Sequence, residues 1–325
     1  MIYVLFLEFL YFMAAFIRHS HNVVAVSPGQ LKDYMNTDDK GGAEGFYHIF
    51  SQLMREKRLF ALTNGIFLKE RQEKWFDGMS MFGIHSEADL KKFLSIASEK
   101  KSESKRIMAT ENSHFWPASR GRSKFVDDEH MVINMVSRAT EQKGIQFVAP
   151  FVRKVISSGK YPEVSFILAG AGDRFFTDQL SSMIYEFPGK VGYTGGFLAG
   201  DTYFHLYRSG DIFIAFSTWE PGGISPMEAI AFGVAALVSD KQGHKSTVKT
   251  IFIPEFASQF GIAGDEAGFN GARFVMNENN INETVNNAIV AFDRLYEIWK
   301  ARNTDAKWDA IRANALMSDN SWDKT

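Results

Sequence analysis

Two carboxylates, Glu220 and Glu228, stand either side of a Gly-Gly turn in the stretch Ser217-Thr218-Trp219-Glu220-Pro221-Gly222-Gly223-Ile224-Ser225-Pro226-Met227-Glu228-Ala229. The run before it, Asp211-Ile212-Phe213-Ile214-Ala215-Phe216, is almost wholly apolar, as a strand covered on both faces of a parallel sheet should be. After it, Ser225 suits a helix N-cap, Pro226 the first helical position, and Glu228, three residues after Ser225, completes a capping box. The spacing predicts a strand, a glycine turn and a capped helix in immediate succession. Backbone N–H groups and the positive end of the helix dipole converge at such a turn, which is how α/β proteins hold phosphates outside the carboxyl ends of their strands. Capping accounts for Ser225 and Glu228. Glu220 serves no capping purpose, and it is the residue that asks for a ligand.

Other residues could join it. Arg138 and Lys143 follow an apolar strand and lie five apart across a polar turn. A planar guanidinium fork and a compact ammonium together suit a diphosphate; without one they are ordinary surface charges. Gly170-Ala171-Gly172-Asp173 lies between a strand and a helix, as either a simple turn or a place where backbone approaches a ligand. Phe197, in Gly195-Gly196-Phe197, could stack on a base, although with 30 Phe in the chain core packing is the default for any single one. His19-x-His21 reads as a strand-like surface pair, and no metal site is assigned.

The elements that must position these groups follow from the pattern of apolar runs. From Met131 the rhythm is strand (Met131–Val136), helix (Ile145–Ser158), strand (Val164–Ala169), helix (Thr177–Glu186), strand (Asp211–Phe216), helix (Ser225–Phe232) and strand (Ala235–Ser239), with a closing helix over Ile281–Lys300. Strands separated by helices imply right-handed crossovers and a parallel sheet, hence an α/β fold. Residues 67–128 are less orderly and read as linker and helical hairpin. Within them Ser98–Arg106 reads as a solvated charge run and Ser113–Lys124 as loop. A segment opened by glycines, 41–58, reads as an amphipathic helix. Residues 1–16 are apolar apart from Glu8, lack a basic n-region and a small-x-small cleavage site, and are too short to span a bilayer.

Composition narrows the classes. At 325 residues, 45% hydrophobic, the chain can bury one or two α/β cores. A net charge of −2 gives no footprint for nucleic acid or an anionic membrane, and the absence of cysteine excludes disulfides and thiol chemistry.

Several short motifs carry a resemblance. The segment Val132–Ile145 contains Val136-Ser137-Arg138-Ala139-Thr140-Glu141-Gln142-Lys143-Gly144, similar to the VSR-x-T-x-QKG motif of starch and glycogen synthases. Val23–Pro28 resembles that family's TVSP strand, Thr63-Asn64-Gly65-Ile66 its NGID hinge, Gly42–Phe46 its G-x-EGLL helix, and Ser321-Trp322 a pair near its C-terminus. Glu220 and Glu228 match the E-x7-E spacing of retaining glycosyltransferases of the GT-B fold. The chain is identified as a member of the glycogen/starch synthase family or a descendant of it.

The resemblance implies a GT-B architecture with a complete C-terminal Rossmann-like domain (129–325), a linker or helical insertion (67–128) and a remnant of the N-terminal acceptor domain with the hinge (1–66). Residues 1–16 are then the helix before the Val23 strand, its apolar face left by a lost domain or open to a partner. Implied catalytic residues are Arg138, Lys143 and Glu220. Donor-binding residues are Asn64, Gly196, Phe197, Gly222, Gly223, Ile224, Ser225 and Glu228, with Arg138 and Lys143 on the diphosphate, Glu220 on sugar hydroxyls, the Gly222–Ser225 N–H groups on sugar and phosphate, and Glu228 on the ribose. The implied partners are ADP-glucose or UDP-glucose and an α-glucan, with no cofactor, metal, nucleic acid or membrane, in the cytoplasm or, in a photosynthetic eukaryote, the plastid. Departures are Phe67 in place of the hinge Asp and Lys241-Gln242-Gly243-His244-Lys245-Ser246-Thr247-Val248 where the family has TGGL-x-DTV. Three functions stay open: a glucan synthase fragment working with a separate N-terminal half or as a homo-oligomer, a nucleotide-sugar-binding remnant without transfer activity, and a GT-B enzyme with a different acceptor.

Overall fold

The computed structural model describes residues 13–36, 46–110, 113–117, 123–198, 200–260, 264–265 and 268–322. Two parallel sheets organise them. The first has two strands, β1 (Val23–Ala25) and β2 (Leu59–Ala61), paired Val23 to Leu59 and joined through helices α1 (Pro28–Tyr34) and α2 (Tyr47–Arg55). Ser27 caps α1 by accepting from Gln30 N–H at 3.1 Å, with Pro28 at the first position, so the strand of the Val23–Pro28 motif runs directly into a capped helix. Residues 13–19 are helical, so His19 sits on an exposed helix end rather than in a strand. Gly42–Gly45 and residues 1–12 lie outside the described residues.

The second sheet has six strands: β3 (Met131–Val136), β4 (Val164–Ala169), β5 (Val191–Thr194), β6 (Ile212–Ala215), β7 (Ala235–Ser239) and β8 (Gly271–Phe274). Their order is β5-β4-β3-β6-β7-β8, all pairs parallel, from Met131 opposite Val164 to Ser239 opposite Phe274. The expected α/β parallel sheet is present. Its strands are continuous apolar runs because helices cover both faces. On one face lie α5 (Ile145–Ser157), α6 (Arg174–Glu186) and later α11 (Ile281–Lys300), whose Phe151, Leu180 and Phe292 share a core with Ile133, Phe166 and Ile214. On the other lie α3 (Leu68–Trp75), α4 (Glu87–Thr110), α7 (Asp201–Ser209) and α8 (Ile224–Ala231); Phe76, Phe93, Tyr207 and Phe232 pack there on Phe213. Further helices are α9 (Gln242–Thr247), α10 (Pro254–Phe260) and α12 (Lys307–Leu316).

The charge run over Ser98–Arg106 is solvated on one face only, through Glu99, Glu103 and Arg106. It is the middle of α4, and Lys101, Ser104 and Lys105 are buried. Lys101 and Lys105, one helical turn apart, reach the buried Asp211 before β6 at 3.1 and 2.8 Å, while Asp211 also accepts from Val132 N–H at 2.9 Å. Two cations and a backbone donor hold the Asp211 carboxyl well below the usual range despite its burial. The same burial pushes Lys101 down to about 8. The cluster pins α4 to the base of the sheet, a packing role that the polar sequence hides.

The stretch expected to be loop after Thr110 is partly core as well. Phe115 and Trp116 are fully buried, and the Trp116 indole donates to Met108 O at 2.9 Å. No helix among the described residues is long and apolar enough to cross a membrane.

Candidate functional site

Strand order reverses between β3 and β6, so the loops leaving their carboxyl ends splay apart and open a crevice. Arg138, Lys143 and Glu220 all stand on those two loops. What brings the loops together is Gly144. At φ 68° it occupies the left-handed region, and a Cβ there would lie 1.8 Å from Phe216 O. Only glycine lets the turn after β3 press on the end of β6. Gln142 then laces the two loops: its carbonyl accepts from Thr218 N–H at 2.9 Å and its amide donates to Trp219 O at 3.3 Å. Sequence reasoning passed over Gln142, whose position inside the motif was the available signal.

Lys143 is an ion-pair partner, not an unpaired surface cation: its Nζ lies 2.6 Å from Glu220 Oε2. Ser217 Oγ donates to the same oxygen at 2.9 Å, and Gly223 N–H to Oε1 at 3.1 Å. Burial alone would raise the Glu220 pKa, but the charges and hydrogen bonds around it outweigh that and hold it below the usual value. His244 is 3.9 Å away and burial lowers its own pKa, which favours the neutral imidazole, while Lys143 is the cation hydrogen-bonded to Glu220. Arg138 is exposed, and among the described residues its side chain reaches Gln142 at 3.5 Å.

The helix after the turn begins two residues earlier than its capping signals place it. Gly223, left-handed at φ 57°, takes the N-cap place and Ile224 opens α8, so Ser225 lies in the first turn and makes no capping bond. The capping box is therefore absent. A glycine in the left-handed region sets the helix start before Ser225 can. Ile224 and Ser225 N–H remain in the first turn, where the helix offers no acceptor, while Gly223 N–H is taken by Glu220. Glu228, buried, pairs instead with Arg71 of α3 at 2.6 Å; burial still raises its pKa against that cation. Arg71 also lies over the Phe204 ring, 4.7 Å from its centroid. Nothing in the sequence linked residue 71 to residue 228.

A pocket of about 230 Å³ opens beside these groups, lined by Arg138, Gly170, Gly196, Phe197, Tyr203 and Ser225 among others. Phe197 is 99% exposed, so it is no core residue. The glycines of Gly170-Ala171-Gly172 serve backbone packing first: a Cβ at Gly170 or Gly172 would lie 1.8 Å from Ser137 O or 2.4 Å from Ala139 O. Asn64 sits apart from the pocket, over Gly222, where a Cβ would lie 2.1 Å from Asn64 Nδ2. It also borders a second recess of about 320 Å³ with Thr63, Ser246, Asp319 and Ser321. The arrangement thus gathers Arg138, Gly196, Phe197 and Ser225 in one pocket, sets Lys143, Glu220, Gly222 and Gly223 next to it, leaves Ile224 47% exposed, and keeps Glu228 beneath.

A parallel sheet with a crevice at its switch point, bordered by a cation and free backbone N–H groups, defines an α/β protein of the doubly wound kind. Residues 119–252 match the family described as "Glycosyl transferases group 1". Over 203 residues it is 27% identical to a glycogen synthase of Desulfitobacterium hafniense, covering 61% of this chain and 38% of that one. A Kosmotoga olearia glycogen synthase is 28% identical over 194 residues, covering 60% and 36%. The matched part of the chain spans little more than a third of those relatives' length. Among solved structures, the catalytic domain of starch synthase IV from Arabidopsis thaliana bound to ADP and acarbose superposes with a TM-score of 0.67 at 18% identity, covering 96% of this chain and 55% of that one. The fold is that of GT-B glycosyltransferases, and over its matched part the chain is similar in sequence to those glycogen synthases.

Proposed function

We propose that the chain works as a hexosyltransferase, moving glucose from ADP- or UDP-glucose to the non-reducing end of an α-1,4-glucan with the anomeric configuration retained. The observation that carries this reading is the meeting of Arg138 and the Lys143–Glu220 pair at the β3/β6 switch point, beside a pocket bordered by Phe197. Charge develops on the departing diphosphate and on the anomeric carbon, so fixed cations at the diphosphate contribute most where the barrier is highest. Arg138, free to swing, and Lys143, released from Glu220, neutralise the leaving group without a metal. Glu220, held ionised, accepts from sugar hydroxyls; Ile224 and Ser225 N–H meet phosphate or sugar. Phe197 and Gly196 border the base. The ribose role of Glu228 requires that Arg71 share the carboxylate, and its second oxygen, which is buried and unbonded, is the atom available.

Calorimetric titration of the chain with ADP-glucose, UDP-glucose and the free diphosphates tests the donor site. No heat with any of them would overturn the reading.

A second reading concerns the acceptor side: the chain as a subunit working with a separate N-terminal half-domain, or as a binding remnant. In this assignment 1–66 belongs to the acceptor side, 67–128 is an insertion and 129–325 is the donor domain. The two-stranded β1–β2 sheet supports it, since such a sheet is marginal alone and here Val24, Phe60 and Leu62 are 46%, 44% and 47% exposed. Extension of a maltooligosaccharide primer with labelled donor separates the two: elongation by the chain alone favours the complete enzyme, and binding without elongation the second reading. A cytoplasmic or plastid location goes with either.

A further inference from the structure

His244, at the start of α9, is fully buried beneath the glycine turn; a Cβ at Gly223 would lie 3.6 Å from its Cδ2. Its Nδ1 is 3.0 Å from the Ser239 carbonyl oxygen. A carbonyl can only accept, so Nδ1 carries the hydrogen. That fixes Nε2 of the neutral ring as a bare lone pair. It is buried, has no hydrogen-bond partner among the described residues, and faces Glu220 Oε2 at 3.9 Å. A lone pair aimed at a carboxylate gains nothing; a protonated Nε2 in the same place would be a charge-assisted donor. The site therefore contains a second potential cation, in reserve, aimed at the very oxygen that Lys143 now holds at 2.6 Å.

The two cannot both be needed at once. With Lys143 on Glu220, a second charge on His244 would meet an oxygen that already accepts from Lys143 and Ser217. When a diphosphate draws Lys143 away, the buried Glu220 loses its cation, a loss costly in a low dielectric. Resting on the functional reading above, we propose that His244 is a positioning residue: as a nucleoside diphosphate captures Lys143, His244 takes a proton from solvent, and its Nε2–H replaces Lys143 in holding Glu220 ionised and oriented. The only bond formed is that N–H.

The surroundings agree. Burial, then the nearby Lys143 charge, lowers the His244 pKa in the ligand-free state, while Glu220, the Ser239 carbonyl and Asp240 raise it, so departure of Lys143 removes one opposing influence. Asp240 is paired with Lys245 and Arg273. From α1, which packs across α9, Lys32 and Asp33 are the charged groups, and Asp33 accepts from the Trp219 indole at 3.4 Å. On α8, Glu228 is committed to Arg71. Glu220 is the carboxylate left for His244.

Titration of the intact chain with UDP at neutral pH, in buffers of different ionisation enthalpy, gives the protons taken up per nucleotide bound. The wild type should take up close to one more proton than His244→Gln, which keeps a polar group of similar size. Equal proton counts would overturn the proposal. Nitrogen chemical shifts of the His244 ring in ligand-free Lys143→Met, which mimics the departed lysine, supply a measurement that needs neither nucleotide nor the His244 variant. There the His244 titration should move upward by at least one pH unit, and an unmoved titration refutes the proposal. Failure of UDP to bind at all would strike the functional reading, while the Lys143→Met result still decides the role of His244.

Discussion

The Lys101–Asp211–Lys105 cluster makes an asymmetric prediction. Asp211 is one anion between two buried cations, with 4% of its surface exposed. Asp211→Asn keeps volume and can still accept from Val132 N–H, but leaves both lysines uncompensated; breaking a buried pair in this way costs about 3–5 kcal/mol. Lys105 is cushioned by the carbonyls of Asp127 and His130, each at 2.9 Å, so most of the penalty falls on Lys101. Lys101→Met is the opposite case. The depression of its pKa from 10.5 to about 8 says that the charged lysine is a net burden of roughly 3 kcal/mol in the fold, and removal leaves Lys105 and Asp211 balanced. Against that gain stands the lost hydrogen bond, worth about 1 kcal/mol. Lys101→Met should therefore be neutral to stabilising by about 2 kcal/mol at neutral pH. The pH dependence has a definite sign. Between about 8 and 10.5 the unfolded chain binds more protons at this position than the folded one, so Lys101 makes stability rise with pH in that window. Urea unfolding of wild type and Lys101→Met, at neutral and mildly alkaline pH, measures both effects; the wild type should gain on the variant as pH rises. If Lys101→Met costs as much as Asp211→Asn, or the difference between wild type and variant is flat with pH, the account of the cluster is wrong.

Gly144→Ala should be severely destabilising, because it combines positive φ, costing about 1–2 kcal/mol, with a Cβ 1.8 Å from Phe216 O; thermal melting reads it, and a change under 1 °C would contradict the close approach. Arg138→Ala should weaken nucleotide binding by about 1.5–3 kcal/mol with an unchanged melting temperature, whereas Lys143→Ala should lose both binding and stability, because it strips Glu220 of its cation; calorimetry with parallel melting separates the two. Phe197→Ala should leave stability untouched and cost about 1–3 kcal/mol of nucleoside affinity through lost stacking, and equal affinity for nucleoside and inorganic diphosphate losses would refute stacking. Glu228→Gln should be mild for folding, since burial already raises that carboxyl's pKa and Arg71 can donate to an amide oxygen; a loss above about 2 kcal/mol on urea unfolding would show that the ion pair matters more.

Much of this was readable from residue order. Met131–Val136, Val164–Ala169, Ala235–Ser239 and Ile281–Lys300 have the expected bounds, because runs covered on both faces must be apolar throughout and the long helix keeps a clear stripe. The short strands Val191–Thr194 and Gly271–Phe274 and the helix Asp201–Ser209 carried too few residues to set a period. Ser225 looked like a cap because propensity is local, and the left-handed Gly223 overrode it. The buried face of α4 was illegible for a different reason: Lys101 and Lys105 make sense only beside Asp211, over a hundred residues later. Within the candidate site the residues were visible and their pairings were not. Lys143 with Glu220, Arg71 with Glu228 and His244 beneath Gly223 each join segments that only the sheet order brings together.

Asn64 has a mechanical consequence. The chain passes between the two sheets through Asn64, Gly65 and Ile66, and the last two are braced: Ile66 N–H donates to Asn320 O at 2.8 Å, and Gly65 lies so close to Trp322 that a Cβ would fall 2.6 Å from its nitrogen. Residues 65 and 66 are thereby tied to the C-terminal segment, whereas Asn64 N–H donates to Val26 O at 3.2 Å and so belongs to the β1–β2 unit. Asn64 is also the side chain lying over Gly222, so it acts as a crank: any swing of that unit sweeps its amide across the glycine turn, and any ligand seated on the turn resists the swing.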